Sequence, residues 1–400
     1  MMIFFVVIAL ASLGLPKTFP VSSAYYKVDP SVAWAAEPGF LKFHVTARHG
    51  VYDVEGLVPL RKLLHEVEVI ERIRQENGGT GFMDGAVDSV EATGEGFVKL
   101  VSHPIESGKG IGKAAGKLGG KIGGVFRKKE EGEKTSFGEK VLGGSRREIA
   151  KEFQVDVYTS NPHLDRLLTG MAKARLGGKG AAFVGKLLLP VAALVSATLT
   201  VSGINSAADQ LVNDRSRVDL YQLNKEALGI LGFSQREIKD FLNSRFYTPR
   251  EATYIRFYLE RLKGIKGHRE IFRTALKAKS RWDAAKILYT AQIAADASAD
   301  KKARFQQIQS FPEGLAVCDN CSAAADGARL LFITPYDYLD RSPLAEKVLA
   351  RADAVKGQWS TRSAEIWNGG KVTLEFSTHA LMRGIKTKGW FLLQQQGQEI

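Results

Sequence analysis

Cysteine is scarce in this chain, because only Cys318 and Cys321 occur among its 400 residues, spaced as C-x-x-C. A full cysteine zinc site would need a second pair. A c-type haem site is excluded because Ser322 stands where that motif requires histidine. The pair predicts a local structural disulfide, with a thiol–disulfide redox site or two free thiols as the alternatives.

Motifs of common catalytic and nucleotide sites are also missing. The chain has no G-x-S-x-G nucleophile elbow, no P-loop ending in Gly-Lys-Ser/Thr and no dinucleotide fingerprint with its acidic residue. His44 and His49 alone do not make a metal site, and His65-Glu66 lacks a second histidine four residues on. We therefore expect no metal and no cofactor, and a non-enzymatic protein is favoured over an enzyme.

No Lys or Arg precedes the N-terminal apolar run, Met1 to Leu15, although signal peptides usually begin with positive charge. The run has the length of a signal peptide and is short for a membrane span. Small residues suited to cleavage stand at Ser22-Ser23-Ala24. Residues 1–24 are interpreted as a signal peptide or an uncleaved N-terminal anchor, with a misplaced start codon as the alternative. The expected localisation is outside the cytoplasm, periplasmic or secreted, with or without membrane association.

What the chain does have is a four-residue repeat over 108–127, GKGIGKAAGKLGGKIGGVFR. Residues four apart share one face of a helix, so glycines, lysines and apolar residues would form three stripes. The lysine stripe suits anionic headgroups, and the glycine stripe permits close approach. The alternatives are a flexible linker and a buried helix packed through its glycines. The residues predicted to contact a membrane or polyanion are Lys109, Lys113, Lys117, Lys121, Ile122, Phe126 and Arg127.

Positive charge dominates the chain, with 56 Lys and Arg against 43 Asp and Glu and a net charge of +13. Such a balance favours acidic partners. Because export removes most nucleic acid from reach, the expected partner is an anionic membrane surface or an envelope polyanion.

A second distinctive stretch is 181–204, AAFVGKLLLPVAALVSATLTVSGI, in which Lys186 is the only charge and Pro190 would kink a helix. Its length permits a membrane span, but lysines and arginines precede it on the side expected to lie outside. A kinked helix or hairpin in the protein core is favoured, and membrane insertion is the alternative.

The chain as a whole is predicted to be a multidomain α+β protein, predominantly helical, with a central helical bundle followed by a small α/β domain. After the signal or anchor come a small α+β region (25–107), the Gly/Lys-rich basic segment (108–147), an apolar helical region (148–219), the bundle (220–311) and the α/β domain (312–400). Capping boxes at Ser234–Glu237 and Thr248–Glu251 support helices near 234–243 and 248–263, followed by helices near 268–279 and 281–298. Periodicity predicts a further helix over 59–75 and strands within 40–54.

In the C-terminal part, the pattern predicts strands at 328–334, 372–376 and 390–394 and helices at 342–355 and 378–386. Ligands of open α/β sheets bind beyond the carboxyl ends of strands. Tyr336, Asp337 and Asp340 follow the strand at 328–334, and His379 is similarly placed, so these four residues are the candidate pocket. The alternative is an ordinary polar loop.

Taken together, the sequence predicts an exported cell-envelope protein that acts as a non-enzymatic binding or structural module through the Gly/Lys repeat. One alternative is an enzyme or thiol–disulfide redox protein that uses the C-terminal domain. A membrane-inserting effector that uses 181–204 is the other.

Overall fold

The computed structural model describes residues 8–15, 19–48, 50–76, 137–176, 203–300, 303–321 and 328–393. Over these residues the fold is α+β, with helices throughout and mixed β-structure in the C-terminal part. The Gly/Lys repeat at 108–127 and residues 181–202 of the apolar stretch lie outside the described residues.

An antiparallel sheet opens the chain, built from β1 (Ile8–Ala9), β2 (Tyr26–Val28), β3 (Ser31–Trp34), β4 (Leu41–Ala47) and β5 (Gly50–Glu55). A short helix, α1 (Leu10–Leu13), follows β1. Strands β4 and β5 form a hairpin in which Phe43 faces Val54 and Val45 faces Tyr52. These four side chains are buried because the leucine-rich face of α2 (Leu57–Glu76) packs on that side of the sheet. The strands and the helix predicted for 40–75 are thus confirmed.

Two helices pack against the second half of α2: α3 (Phe137–Glu152) and α4 (Pro162–Leu176). Helix α3 begins within the stretch assigned to the basic segment. Arg146 joins α3 to α4, because its guanidinium lies 2.5 Å from Asp165 Oδ1. It also donates to the Val157 carbonyl, in the connection between the two helices, at 3.0 Å. Aliphatic residues of α2, α3 and α4 share one core with Val212 of the next helix.

The middle of the chain is helical, and four of its helices begin directly after a Ser or Thr whose hydroxyl caps them. Its helices are α5 (Gly203–Asp214), α6 (Arg217–Ile230), α7 (Gln235–Leu242), α8 (Pro249–Arg261), α9 (His268–Leu276) and α10 (Arg281–Ala297). The capping boxes at Ser234 and Thr248 are formed as predicted, since each hydroxyl accepts from the backbone N–H three residues on. Helices α7 to α10 therefore confirm the predicted elements.

The C-terminal sheet has five strands: β6 (Phe305–Phe311), β7 (Gly314–Asp319), β8 (Arg329–Thr334), β10 (Ser363–Asn368) and β12 (Ile385–Lys388). Their order across the sheet is β12-β10-β8-β7-β6. Strands β6, β7 and β8 are antiparallel neighbours, whereas β8, β10 and β12 run parallel through the crossover helices α11 (Pro343–Gln358) and α12 (Leu374–Met382). Short strands β9 (Tyr338–Leu339) and β11 (Lys371–Val372) pair beside it.

Both faces of this sheet are covered. Leu331 and Ile333 of β8 face the helices α6–α10, and Leu330 and Phe332 face α11 and α12. The aromatic and aliphatic core of the middle helices is therefore continuous with one face of the sheet. A separate central helical bundle is not confirmed.

Three predicted C-terminal elements were wrong. Residues 372–376 are not one strand, because Thr373 caps α12 by accepting from the Phe376 N–H at 3.2 Å, and helix follows at once. The helix predicted at 378–386 ends at Met382 before Gly384, whose φ of +67° suits glycine. The last strand of the sheet is consequently 385–388, not 390–394.

Each end of the chain contributes a buried side chain to the hydrophobic core of the other end. Phe40, from the N-terminal part, is buried among the side chains that join β8 to α11, and Leu393 is buried in the core of the N-terminal sheet. The N-terminal sheet and the C-terminal α/β unit therefore pack as neighbours.

Candidate functional site

Asp337 is the best-defined residue of the predicted pocket, and it is only 4% exposed. Its Oδ2 accepts from the Leu41 N–H and its Oδ1 from the Leu57 N–H, both at 3.0 Å. Because Leu57 is the first residue of α2, the carboxylate meets a helix N-terminus, which favours negative charge. Burial nevertheless raises the pKa of Asp337 to about 7, against the lowering effect of the two N–H donors. Asp337 thus binds the loop after β8 to the N-terminal sheet and to α2.

Tyr336 completes this junction. The backbone N–H of Asp337 donates to the Gly39 carbonyl at 3.0 Å, and the Tyr336 ring lies over Gly39, where a side chain would overlap it. The Phe40 ring centre lies 5.8 Å from that of Tyr336 and 4.4 Å from that of Trp282. Tyr336 and Asp337 therefore fill an interior interface.

The other two predicted pocket residues lie elsewhere. His379, on α12, has its Nδ1 3.1 Å from Glu346 Oε1 of α11. Asp340 is half-buried, and its Oδ1 has no hydrogen-bond partner in the described part of the chain. Within that part, no hydrogen bond or ion pair joins Asp340 or His379 to Tyr336 or Asp337. The four residues do not converge on one polar site.

At the carboxyl ends of the parallel strands, the space is occupied by the backbone of the connecting loops. At the end of β10, the Asn368 amide nitrogen donates to the carbonyls of Tyr336 (2.9 Å) and Lys371 (3.2 Å), and its Oδ1 accepts from Thr334 Oγ1 at 2.8 Å. A side chain on Gly370 would collide with the Asp337 backbone. The strand order 8-10-12 also advances in one direction without the reversal that opens a ligand crevice in doubly wound sheets. The edge where ligands bind in such folds is therefore filled.

The sulfur atoms of Cys318 and Cys321 lie at disulfide distance, with their Cα atoms 5.9 Å apart. Cys318 is within β7 and only 1% exposed, and Cys321 is half-buried beyond the end of that strand. Asn320, between them, adopts a φ of +59°, which turns the chain back. Reactive cysteines are typically exposed thiolates at a helix N-terminus, and Cys318 lies in a strand.

The residues predicted to contact a membrane or polyanion all lie outside the described part of the chain. They are Lys109, Lys113, Lys117, Lys121, Ile122, Phe126 and Arg127. Among the helices that are described, none has both the length and the apolar character of a membrane span.

An internal ionic network was not predicted. Lys62 of α2 lies 2.7 Å from Asp156 Oδ2, and Thr159 donates to Glu66 at 2.7 Å. Burial would raise the pKa of Asp156, but Lys62 and Arg250 hold it at about 2. The i, i+4 spacing of Lys62 and Glu66 was the only sequence signal, and it did not reveal the partner 94 residues away.

Arg250 extends the network into the middle helices, where it contacts Asp209 of α5 and donates to Tyr254 OH at 2.9 Å. The next residue, Glu251, is held bidentately by Arg281 at 2.6 and 2.7 Å while its carboxylate also completes the Thr248 cap. Every charge named here has an opposite partner. The arrangement fixes α2, α5, α8 and α10 relative to one another and leaves no unpaired charge in this network to act on a substrate.

No group of three His, Cys, Asp or Glu side chains that could hold a metal occurs in the described part of the chain. Searches of protein-family models, of curated proteins and of solved structures found no match to the chain. Functional conclusions therefore rest on its own residues.

Proposed function

We propose that this chain is an exported, non-enzymatic protein of the cell envelope that contacts an anionic membrane or polyanion through its Gly/Lys repeat. The observation that carries the proposal is the charge of 107–129, which contains Lys109, Lys113, Lys117, Lys121, Arg127, Lys128 and Lys129 and no Asp or Glu. Seven positive charges without a carboxylate cannot neutralise one another within the segment. They favour a polyanionic surface.

The spacing gives the contact a geometry. On a helix, four lysines at intervals of four form one stripe, and Ile122 and Phe126 belong to an adjacent apolar row. Each lysine near an anionic surface contributes about 1 kcal/mol, so the four contribute about 4 kcal/mol, or roughly a thousandfold in affinity. Because interior glycines each disfavour helix by about 1 kcal/mol, we expect the segment to become helical only on the surface.

The geometry of the candidate pocket supports a non-enzymatic reading. Asp337, Tyr336 and Asn368 use their polar groups to hold backbone at the junction of the N-terminal and C-terminal parts.

The test is vesicle co-sedimentation of the full chain across a salt series, with neutral phosphatidylcholine and with phosphatidylcholine containing 30% phosphatidylglycerol. The variant replaces Lys109, Lys113, Lys117 and Lys121 by Gln and should lose most of its binding to anionic vesicles at low salt. A matched control removes the same charge from four exposed lysines elsewhere: Lys27, Lys239, Lys263 and Lys347.

Equal binding by the repeat variant and the wild type would refute the proposal. If both variants lose binding equally, only net charge matters and the repeat is not the site. Binding that persists at high salt would favour the membrane-inserting alternative through 181–204.

The disulfide distance between Cys318 and Cys321 keeps one second candidate, a thiol–disulfide redox protein, open to test. For a bond that closes so short a loop, loss of the bridge should cost about 2 kcal/mol of stability. The Cys318→Ser, Cys321→Ser double variant should therefore lower the melting temperature and leave vesicle binding intact. Turnover of a disulfide substrate by the wild type, absent in the double variant, would favour the redox function.

A further inference from the structure

The surplus positive charge of the chain lies in two segments. One is 107–129, which contains the Gly/Lys repeat and has seven basic residues and no acidic one. The other is 235–277, from the start of α7 to the residue after α9, with 11 Lys and Arg against 5 Asp and Glu. The remainder of the chain is balanced, because the totals of 56 and 43 leave 38 basic and 38 acidic residues there. Helices α7–α9 therefore carry the positive excess that lies outside the repeat.

Helix α9 shows where this charge is presented. Its Ile271, Phe272 and Ala275 are buried in the core that the middle helices share with the sheet. On the opposite side of the helix, Arg273 and Lys277 are exposed. They are four residues apart, which places them about 6 Å from each other along the helix axis. The outer side of α9 is therefore basic.

The turn before α9 extends this basic side. Lys263 and Lys266 are both exposed there. The Lys266 N–H donates to the Gln306 carbonyl at 3.0 Å, and its carbonyl accepts from the Ile308 N–H at 2.7 Å, so β6 holds the turn in place. Arg269, at one margin of the outer side, donates to a backbone carbonyl at the end of α6 and keeps its charge. We call the following residues the α9 row: Lys263, Lys266, Arg269, Arg273 and Lys277.

Three acidic side chains lie near the α9 row. Glu260, near the end of α8, is paired with Arg256 at 3.0 Å. Glu270 is half-buried at the second margin of the outer side of α9. Glu237 of α7 lies near the two arginines of the row, and its carboxylate accepts from the Ser234 N–H at 2.9 Å in the helix cap. Within the described part of the chain, no ion pair joins the row to a carboxylate, so five cations outnumber the acidic groups around them.

We propose that the α9 row binds a linear polyanion, a polymer that carries phosphate groups at regular intervals. From position 269 to position 277 the basic side chains follow one helix for about 12 Å, which suits a ligand that lies along the helix. The inference goes beyond the proposed function, because the row lies outside the Gly/Lys repeat and does not depend on it.

Other anionic partners fit the α9 row less well. A bilayer contact would be expected to insert apolar side chains, and none of the large apolar side chains left exposed in the described structure belongs to α9. Single-stranded nucleic acid stacks its bases on aromatic side chains, and every aromatic side chain of 235–277 is buried or half-buried. A polymer recognised through its charge alone needs neither feature.

The experiment measures fluorescence anisotropy of end-labelled linear polyphosphate with the full chain across a salt series. Arg273→Gln with Lys277→Gln should lower affinity roughly ten- to thirtyfold and make the slope of log K against log salt shallower by about 1.5. Arg273→Lys with Lys277→Arg keeps both charges and should bind as the wild type does. The matched control, Lys27→Gln with Lys347→Gln, removes two exposed lysines from β2 and α11 and should lose much less affinity.

The substituted side chains are exposed, so the fold should be retained, which circular dichroism checks. Loss of affinity in the neutral α9 variant but not in the control supports the row. Equal losses in these two variants would overturn it, because only net charge would then matter. The four-lysine repeat variant is measured beside them: loss only there overturns the α9 row alone, whereas loss only in the α9 variant supports the row and counts against the repeat.

Two further probes test the class of polymer. Vesicles of phosphatidylcholine with 30% phosphatidylglycerol are compared with polyphosphate, and Ile230→Ser removes the exposed apolar side chain at the end of α6, next to the carbonyl that Arg269 contacts. Vesicle binding that Ile230→Ser weakens, without binding to polyphosphate, would overturn the assignment in favour of a bilayer. Tighter binding to a single-stranded oligonucleotide than to polyphosphate would overturn it in favour of nucleic acid.

Discussion

Removing the Asp337 carboxylate should loosen the junction between the two ends of the chain. In Asp337→Ala, the N–H groups of Leu41 and Leu57 lose their acceptor in a buried place. An unsatisfied buried donor costs about 1–3 kcal/mol, so two cost roughly 2–6 kcal/mol. Asp337→Asn retains one oxygen and should lose about half of that.

The raised pKa of Asp337 also predicts that the free energy of unfolding depends on pH. Its ordinary pKa of 3.8 is raised to about 7 in the folded chain, so between these values the folded state holds a proton that the unfolded state releases. Its contribution to stability is therefore fully present below pH 4 and is lost as pH rises through 7, by at most about 1.4 kcal/mol per unit. Asp337→Asn does not titrate and should lack this slope.

Hydrogen exchange measured by mass spectrometry reports the junction directly, through peptides that contain Leu41 and Leu57. Urea midpoints of wild type and Asp337→Asn at pH 5, 6, 7 and 8 report the slope. Asp340→Asn is the control, because it changes the same loop without touching either N–H group. Unchanged exchange in Asp337→Ala would show that the carboxylate does not hold the junction, and equal pH slopes in wild type and Asp337→Asn would refute the buried titration.

Three further predictions concern the free energy of unfolding, which urea or thermal unfolding measures. Arg281→Met should cost about 1.5–3 kcal/mol because half-buried Glu251 loses its charged bidentate partner, and adding Glu251→Gln should recover part of that loss; no recovery would contradict the pairing. Gly267→Ala should destabilise more than Gly264→Ala: both glycines have positive φ, but only at Gly267 would a side chain meet backbone, that of β6. Burial lowers the pKa of His65, so wild type should lose stability as pH falls below 6.5, and His65→Gln should lose less; identical losses would exclude this titration.

Local features were predictable because their signals lie within a few residues. Ser234 and Thr248 mark the starts of α7 and α8, since a capping hydroxyl bonds to the N–H three positions on. The apolar run at 328–334 predicted a strand, and β8 confirms it. The strand predicted at 372–376 was wrong, because the cap at Thr373 begins a helix there.

The candidate site was harder to predict. Sequence position placed Asp337 at the end of a strand, where parallel sheets bind ligands, and only its partners show what it does. Those partners, Leu41 and Leu57, are 296 and 280 residues away along the chain. Lys62 and Asp156 are likewise 94 residues apart, and neither residue type carries information about so distant a neighbour.

The sequence by itself determined the surplus of positive charge, the fourfold repeat, the starts of the capped helices and the strands of alternating burial. These depend on composition and on interactions within one helical turn or one strand. The tertiary structure alone decided that Phe40 is buried in the core of the C-terminal part and Leu393 in the core of the N-terminal sheet. It alone decided that the Asp337 carboxylate accepts hydrogen bonds from backbone N–H groups. It also decided that Leu381 and Met382 of α12 face outward. The reason is that an apolar pattern indicates only how much of a segment's surface must be buried. Which other element covers that surface depends on the tertiary fold of the whole chain.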